Sequence, residues 1–107
     1  MNKKRSILLP KHERMLHQVG EQIKLARLRR KLSADQISVR ASIGTATLWR
    51  IEKGDPGVAM GNYFQVLVAL GLDKDILNLA SDDELGRKIQ DAKLTTNKRA
   101  PKRGDKS

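Results

Sequence analysis

The stretch from Ser33 to Gly54 does most to constrain what this chain can fold into. It opens on Ser33-Ala34-Asp35-Gln36, a capping box. In such a box the serine hydroxyl accepts from the backbone N–H three residues on, and the glutamine side chain reaches back to the serine N–H. Leu32 and Ile37 flank it at the positions of a hydrophobic staple. The stretch closes on Gly54, the residue type that most often ends a helix, because a left-handed backbone costs glycine little. Ser42-Ile43-Gly44 interrupts it midway. The pattern predicts a helix over 34–41, a short connector, and a helix over 45–53. Helices of this length do not hold alone in water, so both must pack on neighbours.

Those neighbours are legible on either side. Pro10 suits the first turn of a helix, where its missing N–H costs nothing. From 11 to 31, Leu16, Val19, Ile23, Ala26 and Arg30 recur at spacings of three and four. Beyond the Asp55-Pro56-Gly57 turn, Met60, Phe64, Leu67 and Leu70 share one face of a helix over 60–70. Asp73 caps a short apolar turn carrying Ile76, Leu77 and Leu79. Ser81-Asp82-Asp83-Glu84 resembles a second capping box, opening a helix to about residue 92 with Leu85, Ile89 and Ala92 in line. After Leu94 no apolar period remains, and the composition predicts disorder. No segment reads as a strand. The expected organisation is all-α: a basic arm over 1–10, a helical domain over 11–80, a helical extension over 81–94 and a basic disordered tail over 95–107.

Several chemistries are excluded early. There is no cysteine, so no disulfide and no thiolate metal site. His12 and His17 are five positions apart and do not stack on one helix face, so no metal is expected. No nucleophile–base pairing, phosphate-cradling glycine loop or carboxylate dyad is present; the chain reads as no enzyme, with no catalytic residue and no cofactor. No apolar run approaches a membrane span and the start lacks a signal-peptide segment, which predicts a cytoplasmic protein. The net charge of +10 places +3 in residues 1–6 and +4 in residues 95–107. A basic balance suits a polyanion, most often nucleic acid; terminal basic runs also simply solvate loose ends.

Two short helices joined by about three residues have helix-turn-helix geometry. A helix just over two turns long fits a DNA major groove while the preceding helix crosses the phosphates. At about 100° per residue, Leu48 and Ile51 point inward, and Ala46, Trp49, Arg50 and Lys53 point outward, with Thr45 and Thr47 at the first turn. On that face Arg50 can donate to guanine N7 and O6, Thr45 can bond a base edge or touch a thymine methyl, and Thr47 or the first N–H groups can bond a phosphate. Trp49 has three readings: a groove contact, a cover for a partner chain, or a partly exposed hydrophobe folded over its own helix.

The residues from Val19 through Leu32-Ser33, and from Ile43 to Gly54, resemble the Cro/CI-like (XRE) helix-turn-helix family, whose fold is lambda-repressor-like with five to six helices. Leu-Ser at 32–33, Ile-Glu-Lys-Gly at 51–54 and Leu-Gly at 70–71 fall at the family's places, and the match covers about residues 19–80. Residues 81–92 are similar to the extension of HipB-type antitoxins. The resemblance implies a nucleoid-associated repressor that binds DNA through Ser33, Thr45, Ala46, Thr47, Trp49, Arg50 and Lys53, and an ion pair between Arg27 and Glu52. It further implies control of the protein's own toxin–antitoxin operon and restraint of a HipA-like serine/threonine kinase toxin, with or without a further small subunit. The alternatives are a stand-alone XRE regulator with no toxin partner and an interaction module that binds no DNA. Three positions depart from the family. Ala34 stands where a DNA-contacting Gln is usual, Ser42 where Gly takes a left-handed conformation, and Gly44 where Ser or Thr caps the recognition helix. The surplus apolar residues Ile76, Leu77 and Leu79 are expected at a twofold homodimer contact, matching a palindromic operator read in grooves roughly 34 Å apart.

Overall fold

A computed structural model describes residues 7–98; the basic arm before Ile7 and the tail from residue 99 onward lie outside the described residues. The elements in order are α1 (Pro10–Arg29), α2 (Ala34–Ala41), α3 (Thr45–Glu52), α4 (Met60–Leu70), a 3₁₀ helix (Asp73–Asn78) and α5 (Glu84–Lys98). Among the described residues there is no strand, and the fold is all-α with a helix-turn-helix. The chain divides into two compact units, the first ending at Ile76 and the second beginning at Leu77.

Each helix begins where local chemistry permits. In α1, Pro10 occupies the opening turn, and the Leu9 carbonyl accepts from the N–H groups of His12 and Glu13, both at 2.9 Å. The capping box of α2 is complete: Gln36 N–H donates to Ser33 Oγ at 3.0 Å, and Ser33 N–H donates to Gln36 Oε1 at 2.7 Å. It ends on Ser42, whose φ of 58° and ψ of 42° are left-handed. A residue with a Cβ takes that conformation at a cost of roughly 1–2 kcal/mol. Helix α3 starts from Gly44, which offers no side-chain cap, and Lys53 is its C-cap residue rather than its last turn.

The core of the first unit gathers Ile23 and Ala26 of α1, Ile37 and Ala41 of α2, Leu48 and Ile51 of α3, Val58, and Val66 and Leu70 of α4. Helix α2 packs chiefly on α4, and α1 chiefly on α3. Ile37, Leu48, Ile51 and Val66 are fully buried, and truncating any one to alanine costs about 2–5 kcal/mol.

Two predicted stripes are corrected. The inward face of α1 carries Gly20, Ile23, Ala26 and Arg27, while Val19 and Arg30 are exposed. A count of apolar residues misses a glycine buried for backbone approach and an arginine buried with a partner. On α4, Met60 is 65% exposed, and Val66, absent from the predicted face, is fully buried. That helix is apolar on most sides, so periodicity alone does not choose its inward face.

The second unit also differs from expectation. The residue that caps α5 is Asp83, not Ser81: Gly86 N–H donates to Asp83 Oδ1 at 3.0 Å, while Ser81 Oγ donates to the Asn78 carbonyl at 3.1 Å. Aspartate caps as well as serine, and with Asp83 in that role the third helical position is Gly86, which has no side chain to close a box. The helix runs to Lys98 rather than stopping near residue 92. No proline intervenes before Pro101, so nothing local stops it earlier.

Candidate nucleic-acid interface

Helix α3 is held at several independent points, all on its inner side or its ends. Leu48 and Ile51 enter the core. At the C-terminal end, Arg27 and Glu52 form a paired fork, Nε to Oε2 at 2.7 Å and Nη2 to Oε1 at 3.2 Å, with both residues only 8% exposed. The third guanidinium nitrogen donates to the Leu32 carbonyl at 3.0 Å. One arginine thus joins the end of α1, the loop before α2 and the end of α3.

Glycine makes the α1–α3 approach possible. A Cβ on Gly20 would lie 2.5 Å from the Gly54 nitrogen, 2.6 Å from the Ile51 carbonyl oxygen and 2.7 Å from that of Glu52. Gly54 has φ of 72°, and a Cβ there would meet the backbone of Leu16 and His17. Beside this contact, His17 Nδ1 donates to the Lys53 carbonyl at 2.5 Å, which satisfies an acceptor left over at the end of α3. At the other end, Thr45 Oγ1 donates to Asp35 Oδ1 at 3.3 Å and ties the first turn of α3 to α2.

With its inner side fixed, α3 turns Ala46, Trp49, Arg50 and Lys53 to solvent. Thr45 and Thr47 are half-buried at the flanks of that face. Trp49 is 56% exposed, so it is not a core residue. Ser33 lies at the start of α2 with its hydroxyl already accepting within the capping box, which leaves its hydroxyl proton to donate. Four of the residues expected at DNA therefore share one exposed helix face, Thr45 and Thr47 flank it, and Ser33 sits on the preceding helix. Ile76 is half-buried at the end of the first unit, and Leu77 and Leu79 are exposed in the second.

Arg50 is not a loose side chain. Its Nε donates to Asp55 Oδ2 at 2.8 Å. Asp55 is itself fixed three ways: its N–H donates to the Arg50 carbonyl at 2.9 Å, its Oδ1 accepts from Gly57 N–H at 2.7 Å, and its carbonyl accepts from the Tyr63 hydroxyl at 2.8 Å. Burial, and then the nearby Asp55 carboxylate, push the Tyr63 phenol up to about 12, against an opposing pull from Arg50. The sequence pattern marks Asp55-Pro56-Gly57 only as a turn and assigns Tyr63 no role. The available signal was an acid five positions beyond a candidate base-reading arginine, just past the helix end. His17, Gly20 and Asp35 had no comparable signal, because their partners are distant in sequence or backbone atoms.

Among the described residues, no group of histidines and acids could hold a metal, and no helix is long and apolar enough to cross a membrane. Residues 18–79 match the family model of the helix-turn-helix domain, a span that includes α2, α3 and α4 entire. No curated protein matches the chain in sequence.

Proposed function

We propose, from the premise that this chain belongs to the helix-turn-helix domain family of DNA-binding transcription regulators, that it is a repressor of the HipB type. It inserts α3 into the major groove of a palindromic operator and represses its own operon. The observation that supports this is the face of α3. An arginine, a lysine, a small residue and a half-exposed tryptophan lie together on a helix anchored on its inner side and at both ends. In this reading Arg50 reads a base edge, Lys53 and Ser33 meet phosphates, Thr47 and the first N–H groups of α3 take a further phosphate, and Trp49 lies on the groove wall. Ala46 lets the helix approach closely. Thr45, already donating to Asp35, offers its methyl group to a thymine.

The reading extends to protein partners. Ile76, Leu77 and Leu79 form a twofold contact between copies, and sedimentation at micromolar concentration should give twice the 12.0 kDa chain mass. Helix α5 leaves Leu85, Ile89 and Leu94 exposed. That surface supports contact with a HipA-like kinase toxin encoded beside the protein, testable by co-purification with the neighbouring gene product. The operator reading is tested by titrating labelled DNA from upstream of the gene. Arg50→Ala should weaken binding by about 1–3 kcal/mol and relax preference at one base pair. A uniform loss across sequences would make Arg50 a phosphate contact instead. No binding by the wild-type chain to any duplex would leave the fold as an interaction module.

A further inference from the structure

We propose that Asp55 is a positioning residue that sets Arg50 for one base pair; the inference rests on the operator reading above. Asp55 lies past the end of α3, outside the helix that would enter the groove. Its side chain is 18% exposed against 49% for Arg50, so a sheltered carboxylate holds a half-exposed guanidinium. The contact is through Nε. The guanidinium is planar, so an acid on its Nε side orients the opposite edge, formed by the two terminal nitrogens, away from the protein. That edge is the fork that matches guanine O6 and N7. A free arginine loses rotamer freedom when it docks, whereas a clamped one has lost it already.

Charge argues in the same direction. An acid beside a phosphate-binding surface repels its ligand, so on affinity alone Asp55 works against binding. The turn does not require the charge either. The Gly57 N–H needs only an acceptor oxygen, which asparagine supplies equally well. What asparagine cannot supply is an anionic partner for Nε. Selectivity is the property that the carboxylate improves, and the Tyr63 hydroxyl and the Arg50 carbonyl hold Asp55 where it does so.

The test is selection of DNA from a random duplex pool by the full chain, comparing wild type, Asp55→Asn and Arg50→Ala, with sequencing of the bound fraction. The wild type should enrich a motif containing one guanine per half-site that Arg50→Ala no longer requires. Asp55→Asn should enrich the same motif with preference at that guanine reduced by about tenfold, while its affinity for unselected DNA stays level or rises. Circular dichroism checks that the variant is folded, and Asp55→Ser, which also keeps an acceptor for Gly57, replaces it if it is not. Full discrimination retained by the variant overturns the role of Asp55 alone. Equal loss at every position also overturns it, because a purely structural residue would give that result. No motif from the wild type removes the operator reading and the Asp55 role together.

Discussion

The Arg27–Glu52 pair gives the sharpest test of how this fold is held. Both side chains are buried, at 8% exposure each, and bond in a two-pronged fork. Replacing Glu52 with leucine keeps most of the volume but leaves a guanidinium in the interior with only the Leu32 carbonyl as partner. Breaking a buried pair from one side costs about 3–5 kcal/mol. Domains of this size have total stabilities of about 5–15 kcal/mol, so Glu52→Leu should remove a large share of the total. Arg27→Met strands the carboxylate and should cost a similar amount. The double variant strands no charge and loses only the donor to Leu32, a cost of about 1 kcal/mol. It should therefore recover to within about 1 kcal/mol of the wild type, and with single losses of about 3–5 kcal/mol each the coupling is at least about 5 kcal/mol. Urea denaturation followed by circular dichroism at 222 nm is the appropriate measurement, because the half-exposed Trp49 reports weakly on burial. If the double variant were no more stable than the weaker single one, charge compensation would be the wrong account. The loss would then lie in the packing of each side chain.

Three further outcomes follow from particular backbone and side-chain positions. Gly20→Ala should destabilise by at least about 2 kcal/mol in thermal melts, because its Cβ meets backbone atoms of Ile51, Glu52 and Gly54; helix propensity alone predicts a gain of about 1 kcal/mol, so the sign decides. Ser42→Gly should stabilise by about 0.5–1 kcal/mol in urea titrations, the relief of a left-handed residue at φ of 58° less the added freedom of the unfolded chain. Tyr63 has its pKa raised from 10.0 to about 12, so in that interval the unfolded chain holds fewer protons than the folded one. Its contribution is full below pH 10 and lost as pH rises toward 12, and the difference between wild type and Tyr63→Phe in melts across that range should shrink accordingly.

What the sequence made legible was local. The Ser33 box, the span of α2 and the apolar pair Leu48 and Ile51 all depend on residues within a few positions of one another, where spacing is a sound guide. Gly20 against Gly54 was not legible, because a close backbone approach leaves no apolar signature. Nor was the His17 bond to the Lys53 carbonyl, since one partner is a backbone atom 36 residues away. Met60 and Val66 exchanged roles because α4 is apolar on most sides, and Asp83 displaced Ser81 because adjacent acids compete equally for a cap. Arg50 was legible as an exposed cation. The acid that holds it stands only five positions on, but the turn and the tyrosine of the next helix that fix that acid leave no periodic signal.

The arrangement of α3 explains why the fold is easier to read than the site. A helix of eight residues has almost no stability of its own. Its position comes from Leu48, Ile51, Glu52, Gly54 and the tie from Thr45 to Asp35, all on the inner side or the ends. Of these, the core pair Leu48 and Ile51 leaves an apolar pattern in the chain, whereas the Gly54 approach and the Thr45 tie do not. The outer positions Ala46, Trp49, Arg50 and Lys53 lie outside the core. They can change with little cost to stability, since surface substitutions away from such anchors usually shift it by less than about 0.5 kcal/mol. Nothing in the folding physics therefore specifies the sequence this face would read. What the fold does supply is rigidity, and through Asp55 it extends that rigidity to one outward-facing side chain, where a difference in base preference would be measurable.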